Sequence, residues 1–200
     1  MIKYIINYNQ PAHLNLEIMY QQTVAEIQNL QTLTQAISQA PDFDTALAVT
    51  LTQVCEFTDW EYGEAWISAH DETILKLHAA WGVHTNKDSN SIVALEQFRN
   101  CSKGFILHPA EGLPGRVWSS QQPEWMSDAS AESETYFLRN QIAKAFGVKA
   151  GLGLPILVQS QVRTVVVFFM LEAAAEDQGL VELTQAAVME LENLLPRFLA

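Results

Sequence analysis

Basic side chains are scarce in this chain of 200 residues. Lys and Arg together number 11 against 23 Asp and Glu, which gives a formal net charge of −12. A nucleic-acid surface needs a basic patch to neutralise phosphates, and docking on anionic lipid needs one as well. The charge balance therefore argues against nucleic acid and against the membrane as partners.

Long apolar runs and cysteines are also scarce. No segment approaches the roughly 18 to 20 apolar residues that span a bilayer, and residues 1–8 are too short and too polar for a secretory signal. The two cysteines, Cys55 and Cys101, form neither a metal-spaced pair nor a disulfide framework. We expect a cytoplasmic, reduced protein, and the sequence leaves a disulfide between these two cysteines open.

What the chain does have is material for one packed domain, since 48% of its residues are hydrophobic. A helical pattern without Pro or Gly follows Pro11 and ends before Pro41. We therefore predict a flexible leader over 1–13, an N-terminal helix over 14–40, a core over 41–176 and a C-terminal helix over 177–200.

Both terminal helices carry residues that recur at alternating steps of four and three, which is a heptad-like seam. We predict a homodimer held through these two helices, which would act as signalling helices. The seam residues are Leu16, Tyr20, Thr23, Ile27, Leu30, Thr34 and Ile37 in the first helix, and Leu180, Thr184, Ala187, Leu191, Leu194 and Phe198 in the last.

The core alternates between helical and extended patterns. Hairpin signals at both of its ends predict an α+β fold with a mostly antiparallel sheet that helices cover. The predicted helices span 45–57 (capped by Asp42 or Asp44), 91–102, 116–119 after a turn at 111–115, and 134–146 closed by Gly147. The predicted strands span 62–69 and 73–81 around His70-Asp71-Glu72, 123–128, and 148–159 and 163–171 around Ser160-Gln161.

Four segments of this core form a pattern that resembles a known family. They read EGLPGRVW at 111–118, PEWMSD at 123–128, GVKAGLGLPI at 147–156 and an apolar strand at 162–169. In this order and spacing they resemble the GAF domains of bacterial and cyanobacterial sensor histidine kinases, over about residues 42–199. The resemblance implies a GAF/PAS-like fold with about six antiparallel strands and a ligand pocket on one face.

The function that this resemblance implies is sensory. Such domains bind a small ligand or mediate dimerisation, often ahead of a histidine kinase or a cyclase. We therefore expect a non-catalytic signal-transduction domain, the regulatory part of a two-component histidine kinase. The alternative is a cofactor-bearing photo- or redox sensor with bilin, haem or iron–sulfur, or a GAF-type enzyme.

The cofactor stays unassigned at this point. Phytochromes place a Cys-His pair where this chain has Leu138 and Arg139, so we do not expect bilin attachment. Five histidines show no shared helical spacing, and an iron–sulfur cluster would need thiolates from two chains. The methionine sulfoxide reductases among GAF proteins depend on several cysteines, whereas only Cys101 is expected near the pocket. We expect Cys101 to be a small buried apolar residue rather than a reactive thiol.

Candidate ligand contacts are aromatic and charged. Glu64 lies in a predicted strand on the same face as Trp66, where a carboxylate is costly unless it is paired. We predict Arg116 or Arg139 as its partner, or as an anchor for an anionic ligand, and a plain ion pair is the alternative to a ligand contact. The aromatic candidates, which would equally fill a core, are Trp66, Trp81, Phe98, Phe105, Trp118, Trp125 and Phe137.

Overall fold

The computed structural model describes residues 12–68 and 73–198, with side chains from residue 16 onward. Its helices are α1 (Ala12–Gln39), α2 (Phe43–Phe57), α3 (Ser89–Ser102), α4 (Gly112–Ser120), α5 (Asn140–Phe146) and α6 (Gln178–Leu194), the last followed by a 3-10 turn at Leu195–Arg197. Its strands are β1 (Tyr62–Ser68), β2 (Leu75–Val83), β3 (Ile106–Leu107), β4 (Glu124–Met126), β5 (Gly151–Val158) and β6 (Gln161–Phe169).

The strands form one six-stranded sheet in the order β3-β2-β1-β6-β5-β4, and every adjacent pair is antiparallel. This confirms the predicted α+β class and the six-stranded antiparallel sheet. Helices cover both sides. We call the side packed against α1, α2 and α6 the terminal-helix face, and the side packed against α3, α4 and α5 the short-helix face.

Aspartates begin three of the helices. The Asp42 carboxylate accepts a hydrogen bond from the Thr45 N–H at 2.8 Å, and Asp177 accepts one from the Leu180 N–H at 3.1 Å. Asp88 caps α3 in the same way. Each carboxylate satisfies amide groups that have no partner within the first helical turn. Asp42, rather than Asp44, is therefore the cap of α2.

The heptad-like seams of the two terminal helices differ in burial. In α6 the seam residues Thr184, Ala187 and Leu191 are buried within the chain itself, against the terminal-helix face. This corrects their assignment to an interface between chains, since the same spacing also suits a helix that covers a sheet. In α1 only the C-terminal part is buried, and Leu16 and Tyr20 are each 66% exposed.

Helix α5 is shorter than predicted. The sequence pattern indicated a helix over 134–146, but residues 134–139 form turns and α5 starts at Asn140. In a continuous helix the Tyr136 carbonyl would accept the Asn140 N–H. Here that carbonyl accepts a hydrogen bond from Arg116, and the Asn140 N–H bonds to the Phe137 carbonyl at 2.8 Å instead.

Three smaller differences concern turns. Helix α4 already starts at Gly112, where φ is +60°, and Pro114 lies within its first turn, where no amide donor is needed. The β5–β6 turn is Gln159-Ser160, both with positive φ, one residue earlier than predicted. The short strand β3 was not predicted. The predicted turn at His70-Asp71-Glu72 and most of the predicted leader lie outside the described residues.

Candidate functional site

The short-helix face buries a carboxylate in the middle of the sheet. Strand β1 turns Tyr62, Glu64 and Trp66 to this face because alternate residues of a strand share a side. Glu64 is fully buried. The Tyr62 hydroxyl donates to its Oε2 at 3.0 Å, and the Trp66 indole N–H donates to its Oε1 at 2.8 Å.

Arg139 pairs with this carboxylate. Its Nη2 donates to Glu64 Oε1 at 2.6 Å and its Nη1 to Oε2 at 3.2 Å, so the contact is bidentate. Nη1 also donates to Ser102 Oγ at 3.0 Å. The side chains of Arg139 and Glu64 are 1% and 0% exposed. Of the two predicted partners, Arg139 is the one that the structure places on Glu64.

Aromatic rings surround the Arg139 guanidinium. Its Cζ lies 4.9 Å from the ring centroids of both Trp66 and Phe98, 5.3 Å from that of Phe137 and 5.6 Å from that of Phe169. Rings at such distances attract a cation through their quadrupoles. We call the surrounding residues the cage, which consists of Tyr62, Glu64, Trp66, Phe98, Ser102, Phe137 and Phe169.

Burial also changes the acidity of Tyr62. Removal from water raises the pKa of its hydroxyl well above the ordinary tyrosine value, and the adjacent Glu64 charge raises it further. Tyr62 therefore stays protonated and keeps donating to Glu64 throughout the neutral range.

Five of the ten predicted site residues meet in this arrangement. They are Glu64, Trp66, Phe98, Phe137 and Arg139. Three more, Trp81, Phe105 and Trp118, lie partly buried at the margin of the same apolar cluster. The Arg99 guanidinium stacks over Trp81 at 5.6 Å, which places this ring toward the α3 side.

The other two predicted residues lie elsewhere. Arg116 pairs with Glu124 at 2.6 Å and stacks on Tyr136, with 3.6 Å between its Cζ and the ring centroid. Trp125 packs on the terminal-helix face, 5.4 Å from the Trp60 ring. Neither contacts Glu64, so the cage does not include them.

Sequence reasoning missed three cage residues. Tyr62 stands two positions before Glu64, so strand alternation could have found it. Phe169 ends the apolar strand β6, where nothing in the sequence separates it from an ordinary core residue. Ser102 carried no signal, because its place beside Arg139 depends on how α3 docks.

Open cavities lie outside the cage. One, of about 320 Å³, is lined by α1, α2 and α6 and includes Glu26, Phe57 and Leu180. Another, of about 380 Å³, lies beside Trp125 and includes Glu61 and Met170. The cage itself is filled by its own rings and the Arg139 guanidinium, so a guest there has to displace a side chain.

The cysteines are both free in the structure. Cys55 is buried on the terminal-helix face, where burial raises the pKa of its thiol. Cys101 is exposed on α3, which corrects the expectation that it is a small buried residue. The two thiols therefore lie on helices that cover opposite sides of the sheet.

The described part of the chain contains neither a group of metal-ligating side chains nor a membrane-spanning helix. Within residues 12–68 and 73–198, no three His, Cys, Asp or Glu side chains are grouped so as to hold a metal ion. His78 lies 3.4 Å from Asp44, and its Nδ1 accepts the Ala80 N–H. No helix in the same ranges has the length and apolarity needed to cross a bilayer.

Comparison with known proteins identifies the fold. No family model matches the chain. The GAF domain of a phosphoenolpyruvate-protein phosphotransferase from Coxiella burnetii is similar with a TM-score of 0.63 at 20% identity, over 88% of this chain and 97% of that one. A methyl-accepting chemotaxis protein fragment is similar with a TM-score of 0.62 at 13% identity, over 83% of this chain and 96% of that one.

An enzyme is among the similar structures. The free methionine-R-sulfoxide reductase from Neisseria meningitidis, solved in complex with its substrate, gives a TM-score of 0.60 at 13% identity, over 86% of this chain and 91% of that one. At such identities the likeness shows the fold alone. The chain therefore has the fold of GAF domains, as its four motif segments indicated.

Proposed function

We propose that this chain is a non-catalytic sensory GAF domain, the regulatory part of a cytoplasmic histidine kinase. The cage carries the proposal. Together with the Arg139 guanidinium, the cage is a buried charged site with five aromatic rings, an ion pair and two hydroxyls, on the face of the sheet opposite the terminal helices. A change in its occupancy would shift side chains of β1 and β6 while leaving their strand pairing intact, and would so disturb the packing of α2 and α6 on the other side of the sheet.

The arrangement of α1 supports a role in dimerisation. Its C-terminal part packs on α6, where the Thr34 hydroxyl donates to Glu190 at 2.6 Å. Its N-terminal part exposes apolar side chains that the described residues, 12–68 and 73–198, do not cover. Those that are at least half exposed are Leu16, Ile18, Met19, Tyr20 and Ile27. We propose that this surface meets the same surface of a second copy, while α6 passes the change to an output domain.

Sedimentation velocity at micromolar concentration tests the dimer. We expect the wild type to be dimeric and Leu16→Glu/Tyr20→Glu to be monomeric, because the two charges would be placed in the apolar contact. Gln21→Glu adds a charge on the same stretch of helix at another exposed position and should stay dimeric. A monomeric wild type would remove dimerisation from the proposal.

The sensory role and a GAF-type catalytic role can be separated directly. The sulfoxide reductase fold is shared, but the thiols of this chain, Cys55 and Cys101, lie on opposite sides of the sheet. A two-thiol reduction cycle needs thiols that can reach one another. We therefore expect no reduction of free methionine sulfoxide by the purified chain with a thiol reductant, and turnover that is lost in Cys101→Ser would contradict the proposal.

A further inference from the structure

The cage and its occupant come from different parts of the fold. Regular elements supply most of the cage: β1 carries Tyr62, Glu64 and Trp66, α3 carries Phe98 and Ser102, and β6 ends with Phe169. The guanidinium comes from the segment 127–139, which joins β4 to α5 and contains neither helix nor strand. Of the cage residues, Phe137 alone belongs to that segment. The cage is thus built mainly from regular helices and strands, whereas Arg139, which occupies it, belongs to the irregular segment 127–139.

The chemistry of the cage matches a guanidinium group in three ways. The carboxylate takes two parallel N–H bonds, a geometry that a planar fork offers and a compact ammonium does not. The Ser102 oxygen takes a further N–H bond at 3.0 Å. Ring faces then cover a weakly hydrated cation.

The Glu64 carboxylate has two hydrogen-bond donors besides Arg139. Tyr62 and Trp66 hold its two oxygens at 3.0 Å and 2.8 Å, and both donors lie on the same strand as Glu64. A site whose polar groups are held in place before a ligand arrives loses less freedom on binding. If the guanidinium of Arg139 withdraws, the remaining cage is organised to receive another one.

The connection that carries Arg139 runs along the surface. Tyr136 and Leu138, on either side of the buried Phe137, are 39% and 38% exposed. Leu138 is also the direct neighbour of Arg139. Withdrawal of the guanidinium therefore requires movement of a surface segment and leaves the sheet intact.

We propose that the cage is a guanidinium-binding site, that Arg139 is its tethered occupant, and that a small guanidinium or amidinium compound takes its place when the sensor responds. The inference rests on the proposed sensory function and names the ligand class of that site. A tethered group competes at an effective concentration in the millimolar range or above. The natural ligand must therefore add contacts of its own, and simple guanidinium salts should bind far better once Arg139 is removed.

Ethylguanidinium rescue of Arg139→Ala tests the site. The variant should melt about 10 °C below the wild type because Glu64 loses its buried partner. Ethylguanidinium at 20 mM should raise the melting temperature of the variant by about 3 °C, and this increase should saturate with concentration. Its general denaturing action at 20 mM lowers the melting temperature by less than about 1 °C, so binding should dominate. Ethylammonium at the same concentration should have no such effect, and Glu64→Gln/Arg139→Ala should not respond.

Arg116→Ala is the matched control. It removes an arginine that is also paired with a glutamate and stacked on a ring, but outside the cage. It should show no recovery with ethylguanidinium. Equal recovery of Arg116→Ala, or no recovery of a folded Arg139→Ala, would overturn the guanidinium site.

A measurement on the wild type applies even where Arg139→Ala fails to fold. Hydrogen exchange of the amides in 127–139 should speed up at least about twofold in 50 mM ethylguanidinium, with β5 and β6 unchanged, because segment opening exposes those amides. Unchanged exchange would overturn displacement and leave Arg139 a permanent ion pair. Sedimentation of the wild type tests the proposed dimer independently of these experiments. If the protein is dimeric but the ethylguanidinium tests fail, the sensory proposal stands without this ligand class. If the protein is monomeric but those tests succeed, the guanidinium site stands without the dimer.

Discussion

The two faces of the sheet bury very different side chains, although the same central strands supply both. On the terminal-helix face β1 and β6 present Ala65, Val166 and Phe168, which pack among apolar residues of α1, α2 and α6. On the short-helix face the residues next to them, Glu64 and Phe169 among them, form the cage. Alternation along a strand thus separates a dry interior from a charged one by a single residue.

This difference decides how each face responds to change. An apolar interior is stabilised by the apolar surface area that it buries and by close packing, so it tolerates substitutions that keep the buried area and the side-chain volume. A buried ion pair has already given up its hydration, so removing one partner leaves the other without compensation. The short-helix face should therefore lose most stability when one partner of its ion pair is removed. The terminal-helix face should lose most when added bulk separates its packed layers.

Glu64→Ala should cause the largest loss of stability. The loss of an ordinary buried hydrogen bond costs about 1–3 kcal/mol. Here the residue left behind is the Arg139 guanidinium, which is 1% exposed, so we expect a loss of about 3–5 kcal/mol. Urea denaturation followed by circular dichroism measures it.

The double variant Glu64→Leu/Arg139→Met controls this prediction. It replaces the pair with apolar side chains of similar size, which often costs little. We expect the double variant to be more stable than Glu64→Ala. If it were less stable, the loss would come from packing and the contrast between the two faces would fail.

Gly82→Ala should cause the next largest loss, on the opposite face. A Cβ at this position would lie 2.4 Å from the Leu51 carbonyl carbon and 2.5 Å from its oxygen, so β2 and α2 would have to separate. Because these are backbone atoms, we expect a loss of about 3 kcal/mol in the free energy of unfolding. Gly104→Ala, whose Cβ would meet nothing within 4 Å, should change stability little.

The sequence predicts the helices and strands well where residues close in sequence determine their ends and their burial. Asp42 and Asp177 begin helices by accepting amide hydrogen bonds within the next three residues, and Gly147 ends one at φ +75°. Strand β6 is apolar without interruption from Val165 to Phe169 because both of its sides are covered there. Such signals lie within a few residues of what they determine.

The cage could be predicted only in part because its contacts cross long distances in sequence. Glu64 and Arg139 are 75 positions apart, and a costly carboxylate indicates that a partner exists without naming it. The late start of α5 has the same origin, since Arg116 takes the Tyr136 carbonyl from 20 positions away. The seam of α6 was assigned to the wrong surface because its period fits a covering helix as well as a coiled coil.

Thr184→Val tests a buried polar contact between α6 and Trp60, which precedes β1. The Trp60 indole N–H donates to Thr184 Oγ1 at 2.8 Å, and both residues are fully buried. Valine keeps the shape and leaves the indole N–H without an acceptor, so we expect a loss of about 2 kcal/mol. Trp60→Phe/Thr184→Val removes the donor as well, and a coupling energy near zero in this cycle would show that the hydrogen bond contributes nothing.

Tyr62→Phe should cause the smallest loss in the free energy of unfolding. The pH dependence of its stability also tests whether Tyr62 is buried in the cage. At neutral pH the change removes one donor to Glu64, which Trp66 and Arg139 still hold, so we expect about 1 kcal/mol. Burial raises the pKa of Tyr62 in the folded chain above its unfolded value near 10. Since the raised group stabilises the fold fully below the unfolded pKa, its contribution is lost as pH rises above about 10. The melting temperature of the wild type should therefore fall more steeply than that of Tyr62→Phe between pH 9 and 11, and parallel curves would mean that Tyr62 reaches water and that the cage is open without a ligand.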